Sequence, residues 1–176
     1  VKIASAPDKN EHDPVFGNDG NLYYLSNQSG SDQIWRVALS GGTPAQVSAL
    51  SYDVSGFKLS PKGDKMLVWA DRPLGCPDAE CSTVKPAAPE GGSARTYDQM
   101  FVRHWDTWIN PKERSRIFVY DMVGGKLTGF GKNAVGSLVG DAPTKPFGGG
   151  EEVAWAPDGQ SAYFTLRLAD KDEPMS

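Results

Sequence analysis

The sequence predicts an all-β protein built from short strands and tight turns. Of its 176 residues, 20 are glycine and 13 are proline, and so many turn-forming residues argue against long helices. Apolar and polar residues alternate along several short segments, which is typical of strands with one buried face. One strand–turn–strand pattern also recurs along the chain, so we expect a fold that repeats a single structural unit.

Each copy of this pattern contains a short strand, a turn that closes at a glycine, and a second strand. In two copies a proline fixes φ where the turn begins, and in all three the glycine accepts the positive φ that closes it. The second strands carry β-branched and aromatic residues with a period of two. The three copies lie at 15–26, 57–70 and 153–166.

Further strands follow the repeated units. The segments 33–39 and 116–122 alternate in the same way, and each leads to a pair of glycines. Four antiparallel strands in about 40–50 residues describe one blade of a propeller. We therefore predict a partial β-propeller of about two to three four-stranded antiparallel blades. An all-β sandwich would give a similar strand pattern and is the alternative.

The whole chain, 1–176, is predicted to be a fragment of one propeller domain. It would contain a blade at 14–50, a blade at 53–131 and an incomplete blade at 150–176. The second blade carries a long insertion at 73–97, because this stretch is rich in Pro, Gly, Ala and Ser and lacks periodicity. If the segment between Gly63 and Gly159 formed two blades, it would contain another Pro-x-Gly turn followed by an alternating strand, and it contains no such combination. Since an open ring exposes strand edges, we also expect self-association through them.

Composition and motifs exclude several functional classes. The net charge of −4 gives no general attraction to nucleic acid or to an anionic membrane. The longest apolar run, 66–70, is far shorter than the roughly 20 residues of a spanning helix. No Gly-x-Ser-x-Gly elbow occurs, so no catalytic residue is predicted. Glycine motifs for phosphate are also absent, and two cysteines and two histidines leave little scope for metal, so we predict neither cofactor nor metal.

Two groups of residues resemble a known family. The turns Ser-Pro-Lys-Gly at 60–63 and Ala-Pro-Asp-Gly at 156–159 resemble those of Tol-B-like propellers. The segment Phe-Val-Arg-His-Trp-Asp-Thr-Trp at 101–108, followed by the strand at 116–121, resembles the propeller of the prolyl oligopeptidase family. Within that family the similarity is to the dipeptidyl-peptidase V and acylaminoacyl-peptidase branch.

The resemblance implies a function for a longer protein. In that family an N-terminal propeller precedes an α/β-hydrolase domain with a Ser-Asp-His triad, and it restricts access to short peptides. This chain would be the non-catalytic propeller portion of a serine peptidase, gating or positioning substrates, with its own hydrolase domain and short peptides as partners. The alternative is a non-enzymatic Tol-B-like scaffold for protein interaction.

Charged residues interleave with aromatics around Arg103. Unpaired buried charges are costly, so Arg103, His104 and Asp106 predict a polar cavity or a mutual ion pair. A histidine beside an aspartate can orient a base, but without a nucleophile motif a structural polar cluster is the simpler interpretation. By the resemblance, the cavity would lie between propeller and hydrolase domain. Arg103 would then bind a substrate carbonyl or carboxylate.

Glu151 and Glu152 are the other candidate substrate-binding residues. Dipeptidyl peptidases of this family hold the substrate's free ammonium with two glutamates on the propeller, which implies this role for the pair. In the family these glutamates lie on a helical insertion, whereas here they directly precede a strand. A solvated loop edge is therefore the competing interpretation.

The two cysteines are close in sequence. Four residues separate Cys76 from Cys81, and such a loop lets their Cα atoms approach the roughly 4.4–6.8 Å of a disulfide. In an oxidising compartment they would form this bond, whereas in the cytosol they would be free thiols. The family often occurs in the bacterial periplasm, which favours the disulfide and implies a periplasmic or secreted protein.

Overall fold

The computed structural model describes residues 6–81, 103–104, 107–108, 110 and 112–168, with 103–104 and 107–108 described by backbone pairing. The first sheet, blade 1, is a four-stranded antiparallel meander in which each strand pairs with the next along the chain. Its strands are β1 (Glu11–Phe16), β2 (Asn21–Ser26), β3 (Gln33–Ala38) and β4 (Ala45–Gln46).

The second sheet, blade 2, repeats this arrangement with longer strands. Its strands pair in the order β10-β9-β6-β5, all antiparallel, and a hairpin of two two-residue strands, β7 and β8, lies in the connection between β6 and β9. The strands are β5 (Gly56–Leu59), β6 (Lys65–Pro73), β7 (Arg103–His104), β8 (Thr107–Trp108), β9 (Glu113–Val123) and β10 (Lys126–Asn133). The predicted insertion at 73–97 thus falls in the β6–β9 connection, except that Pro73 ends β6.

The third unit is a smaller set of strands after blade 2. It contains two antiparallel pairs, β12 with β13 and β11 with β14. Its elements are β11 (Gly140–Asp141), a 3₁₀ turn (Gly150–Glu152), β12 (Val153–Trp155), β13 (Ala162–Phe164) and β14 (Arg167–Leu168). Within the described ranges no helix is long and apolar enough to cross a membrane.

The turns of the repeated units close as the sequence predicts. The closing glycines of the three copies have φ of +77°, +71° and +71° at Gly20, Gly63 and Gly159. The N–H groups of the second and third of these glycines each donate to the carbonyl three residues earlier, at 2.9 Å. These are tight turns in which a side chain at the last position would be strained.

Blade 2 is buried on both faces. Apolar residues at even positions within 66–70 and 118–120 pack against blade 1, and those at odd positions within 67–69 and 117–119 pack against the third unit, because side chains alternate along a strand. The core between blades 1 and 2 includes Tyr23, Leu25, Ile34, Met66, Val68, Phe118 and Tyr120. The core between blade 2 and the third unit includes Leu67, Trp69, Ile117 and Val153. Three stacked layers fit successive propeller blades rather than a two-sheet sandwich, so the predicted fold class is confirmed.

The first strands of the three units meet along one side of the stack. The Trp155 indole N–H donates to the Lys58 carbonyl at 3.0 Å, and the Lys58 ammonium donates to the carbonyls of Gly150 and Val153. A shallow groove of about 350 Å³ runs along these strands, and the Phe16 side chain beside it is 71% exposed. The groove is lined by residues of all three units, including Val15, Lys58 and Trp155.

Candidate functional site at the loop end of blade 2

One end of blade 2 collects the connections that the sequence analysis selected. We call it the loop end: it is where β6 ends at Pro73 and β9 begins at Glu113, which pair directly. The β6–β9 connection leaves from this end. The 134–149 connection crosses it, since the Ala142 N–H donates to the Ser115 carbonyl at 2.9 Å. The Lys145 ammonium also forms an exposed ion pair with Asp71 there.

Arg103 and His104 belong to the β7–β8 hairpin. In the backbone pairing Arg103 lies opposite Trp108, and His104 lies opposite Thr107. Asp106 lies outside the described residues, as does most of the predicted insertion. The proposed contact of Arg103 with substrate therefore stays a prediction.

The structure gives Glu151 and Glu152 different environments. The Glu152 carboxylate accepts two hydrogen bonds from Thr144, from the backbone N–H and from Oγ1, both at 2.7 Å. Burial acts to raise the pKa of Glu152, but the hydrogen bonds from Thr144, together with one from the Thr165 side chain, outweigh it and hold this pKa below its usual value. The Glu151 side chain is exposed. Glu152 thus holds the 142–148 loop, whereas the carboxylate of Glu151 faces solvent.

One glycine of the run before these glutamates, Gly148, is required for steric reasons. A Cβ at Gly148 would lie 2.4 Å from the Thr144 carbonyl oxygen and 2.5 Å from Glu152 Oε2. The Gly148 N–H donates to that same Thr144 carbonyl at 2.8 Å. Only glycine therefore fits where the loop folds back over the Glu152 carboxylate.

Asp141 is a largely buried carboxylate at the loop end. It accepts a hydrogen bond from the Ser115 N–H at 2.7 Å, and its Oδ2 lies 3.8 Å from Arg114 Nε. Burial raises the pKa of Asp141, while the Ser115 hydrogen bond and the charges of Lys145 and Arg114 oppose the increase. The carboxylate joins the start of β9 to the 134–149 connection.

Sequence reasoning missed three buried arginines in blade 2. Arg72 lies opposite Arg114 in the β6–β9 pairing, and Arg116 lies opposite Ala70, so all three project from one face. The Arg116 guanidinium donates to the carbonyls of Gly136 and Leu138 at 2.7 Å and of Gly140 at 3.4 Å. One signal in the sequence was available: Arg116 lies two residues before Phe118 in a predicted strand, so it shares the face that carries apolar side chains.

Cys76 and Cys81 are joined by a disulfide in the structure, with their Cα atoms 5.9 Å apart. The loop between them lies at the outer side of blade 2. Among the described residues, no group of three or more His, Cys, Asp or Glu side chains could hold a metal ion. In the described part of this site, the carboxylates of Glu152 and Asp141 are engaged in structural contacts, whereas Glu151 is exposed.

Several proteins similar to this chain in sequence are named dipeptidyl-peptidase 5. The chain is 28% identical over 163 residues to dipeptidyl-peptidase 5 of Porphyromonas gingivalis, covering 91% of this chain and 22% of that protein. The predicted relationship to this peptidase branch is confirmed. A dipeptidyl-peptidase 5 of Arthroderma otae is 29% identical over 173 residues, with 88% of this chain and 22% of the relative covered. The chain thus spans about one fifth of the length of these relatives.

The comparisons with protein-family models and with solved structures give less information about this chain. No protein-family model matches the chain. Among solved structures, a putative TolB from Agrobacterium tumefaciens gives a TM-score of 0.45 at 19% identity, over 90% of this chain and 43% of the other. An acylaminoacyl peptidase from Pyrococcus horikoshii gives 0.45 at 13% identity, over 70% of this chain and 18% of the other.

Proposed function

We propose that this chain is the non-catalytic propeller portion of a dipeptidyl or acylaminoacyl peptidase, and that it gates or positions short peptides for a catalytic domain elsewhere in the longer protein. The observation that carries the proposal is the match of nearly the whole chain to about one fifth of the dipeptidyl-peptidase 5 relatives. The chain itself has no Gly-x-Ser-x-Gly elbow, so the triad would lie in the α/β-hydrolase part of the longer protein.

Within this proposal Glu151 is the better candidate for the substrate ammonium. Its carboxylate is exposed at the loop end, whereas both oxygens of Glu152 accept hydrogen bonds from Thr144. An ammonium bound at Glu152 would compete with the contacts that hold the 142–148 loop, whereas Glu151 carries no such structural contact among the described residues. Arg103, in the hairpin of the β6–β9 connection, would bind a carbonyl or carboxylate of the same peptide.

The other parts of the proposal concern surroundings and assembly. The Cys76–Cys81 disulfide supports a periplasmic or secreted location, because such bonds persist in oxidising compartments. The side chains of Tyr163 and Leu168 on the third unit are each 65% exposed. They support self-association of the isolated chain through this incomplete unit, or its burial within the longer protein.

The test compares glutamate variants of the longer protein. Glu151→Gln removes the charge at the loop end, so kcat/KM for peptides with a free N-terminus should fall about 10–100-fold, as expected for one charged hydrogen bond. The matched control is Asp158→Asn, which neutralises an exposed carboxylate in the third unit's closing turn. It should leave the kinetics unchanged.

Two results would count against this role. Unchanged kcat/KM for Glu151→Gln would exclude ammonium binding by Glu151. An equal loss for free and N-acetylated peptides would mean that the substitution acts on something other than the ammonium. A downstream coding sequence without Gly-x-Ser-x-Gly would instead favour the Tol-B-like scaffold.

A further inference from the structure

The loop between Cys76 and Cys81 lies in the seam between blades 1 and 2. The Ala79 N–H donates to the carbonyls of Phe130 and Gly131 in β10, at 3.0 and 3.1 Å. At this point β10 has a bulge, since its register against β9 shifts between Thr128 and Lys132. The Ala79 side chain is completely buried in the core that the two blades share. The loop therefore covers the irregular part of an edge strand and fills the seam.

The end of the same loop is connected through Arg72 to the segment that joins blades 1 and 2. The Arg72 guanidinium donates to the Cys81 carbonyl at 2.5 Å and lies 4.3 Å from the centre of the Tyr52 ring. The Tyr52 hydroxyl is 2.8 Å from the hydroxyl of Tyr120 in blade 2. A second link joins Ser51 Oγ to the Glu80 carboxylate at 3.2 Å. Both Ser51 and Tyr52 lie in the connection between the blades.

The disulfide restricts how this loop can leave its position. With its ends joined, the loop presents the Ala79 N–H and the Cys81 carbonyl together, so little conformational entropy is lost when both contacts form. With two free thiols, the residues between 76 and 81 gain freedom, and each contact must order the loop separately. Arg72 is nearly fully buried and its Nε–H has no hydrogen-bond partner in the described part of the chain, so losing the Cys81 acceptor would leave a second buried N–H group unsatisfied.

We propose that the Cys76–Cys81 loop is a redox-sensitive latch on the seam between blades 1 and 2. A dithiol reductant supplies two electrons and two protons: its thiolate attacks the Cys76–Cys81 bond, and its second thiol closes the reductant's own disulfide. The products are two cysteine thiols and the oxidised reductant. The freed loop leaves the β10 bulge and the Arg72 guanidinium, and the seam opens more often.

Hydrogen exchange in the oxidised and the dithiol-reduced chain tests the latch. The Leu127 N–H donates to the Val47 carbonyl across this seam at 2.9 Å, so peptides covering 47–55 and 127–133 report on it. We expect about tenfold faster exchange there after reduction, which corresponds to about 1.4 kcal/mol. The segment 153–164, on the opposite face of blade 2, should keep its rate. The Cys76→Ser/Cys81→Ser double variant should exchange like the reduced protein.

Two arginine variants separate the latch from general loosening of the seam. In Arg72→Met, reduction should have a clearly smaller effect, because the connection to Tyr52 is already lost. Arg36→Met is the matched control: this guanidinium donates to the Gly124 carbonyl across the same seam at 3.3 Å, away from the loop. It should keep the full effect of reduction.

The following results would overturn the proposal. One is equal exchange of 47–55 and 127–133 in both redox states. Another is acceleration that extends equally to 153–164, since this would be general unfolding. The others are a disulfide that resists dithiols in the native protein, and an unchanged effect of reduction in Arg72→Met.

Discussion

Replacing Arg116 by methionine should strongly destabilise the chain. The Arg116 side chain is 2% exposed and donates to carbonyls of the 134–149 connection. Methionine fills much of the same volume but donates no hydrogen bond. The change therefore removes the Arg116 hydrogen bonds from the set of contacts that hold this connection against the start of β9.

The magnitude follows from these contacts. Two donors at 2.7 Å and one at 3.4 Å are lost, and a hydrogen bond from a charged donor contributes about 1.5–3 kcal/mol. Burial lowers the pKa of Arg116, a sign that desolvation of its charge already opposes part of this gain. Gly136 and Leu138 are exposed, so water can replace some of the lost bonds. We expect a net loss of about 2–4 kcal/mol in the free energy of unfolding.

Equilibrium unfolding in urea, together with thermal melting, measures this loss. A chain of this size loses about 2–4 °C in Tm per kcal/mol, so Tm should fall by about 5–15 °C. Arg116→Lys should fall between wild type and Arg116→Met, because an ammonium lacks the planar fork that reaches several carbonyls. Lys65→Met, which breaks an exposed ion pair with Asp121, is the control and should change little. A fully stable Arg116→Met would refute the structural role of these bonds.

The remaining predictions address the disulfide, the buried carboxylate of Asp141, and the contact between blade 2 and the third unit. Intact mass with and without reduction and alkylation should show Cys76 and Cys81 bonded in protein from an oxidising compartment; two free thiols would contradict this. Because the pKa of Asp141 is raised in the folded state, its ionisation opposes folding: the penalty is complete above the folded pKa and vanishes below the unfolded one. The free energy of unfolding of Asp141→Asn, relative to that of wild type, should therefore be higher at about pH 7 than at about pH 3. A difference between the two proteins in urea unfolding that does not change with pH would refute this. Trp155→Phe removes the donor to the Lys58 carbonyl and should lower the free energy of unfolding by about 1 kcal/mol in the same assay. An unchanged midpoint would show that this bond does not hold the third unit against blade 2.

Most of the fold could be predicted from local sequence patterns. The strand predicted at 33–39 and the glycine at each repeated turn depend on neighbouring residues alone, and the structure has a strand at Gln33–Ala38 and a positive φ at each of these glycines. The two-sided burial of β6 also follows from its continuous apolar run at 66–70, since a strand covered on both faces needs no polar side.

The arrangement of the loop end could not be predicted in the same way. Arg116 binds carbonyls 20 to 24 residues later, and its sequence surroundings do not indicate which loop supplies them. Glu151 and Glu152 are neighbours with equal charge, and only the fold of the 142–148 loop brings Thr144 to one of them. Such differences depend on long-range contacts that composition and periodicity do not encode.

Activity of the longer protein beside that of this chain tests the central claim most directly. Both are assayed on dipeptidyl and aminoacyl chromogenic substrates, with and without a reagent specific for active-site serines. The account predicts turnover by the longer protein that the reagent abolishes, and no turnover by this chain. Turnover by this chain that the reagent abolishes, or a longer protein without serine-dependent activity, would contradict a non-catalytic propeller portion of a serine peptidase.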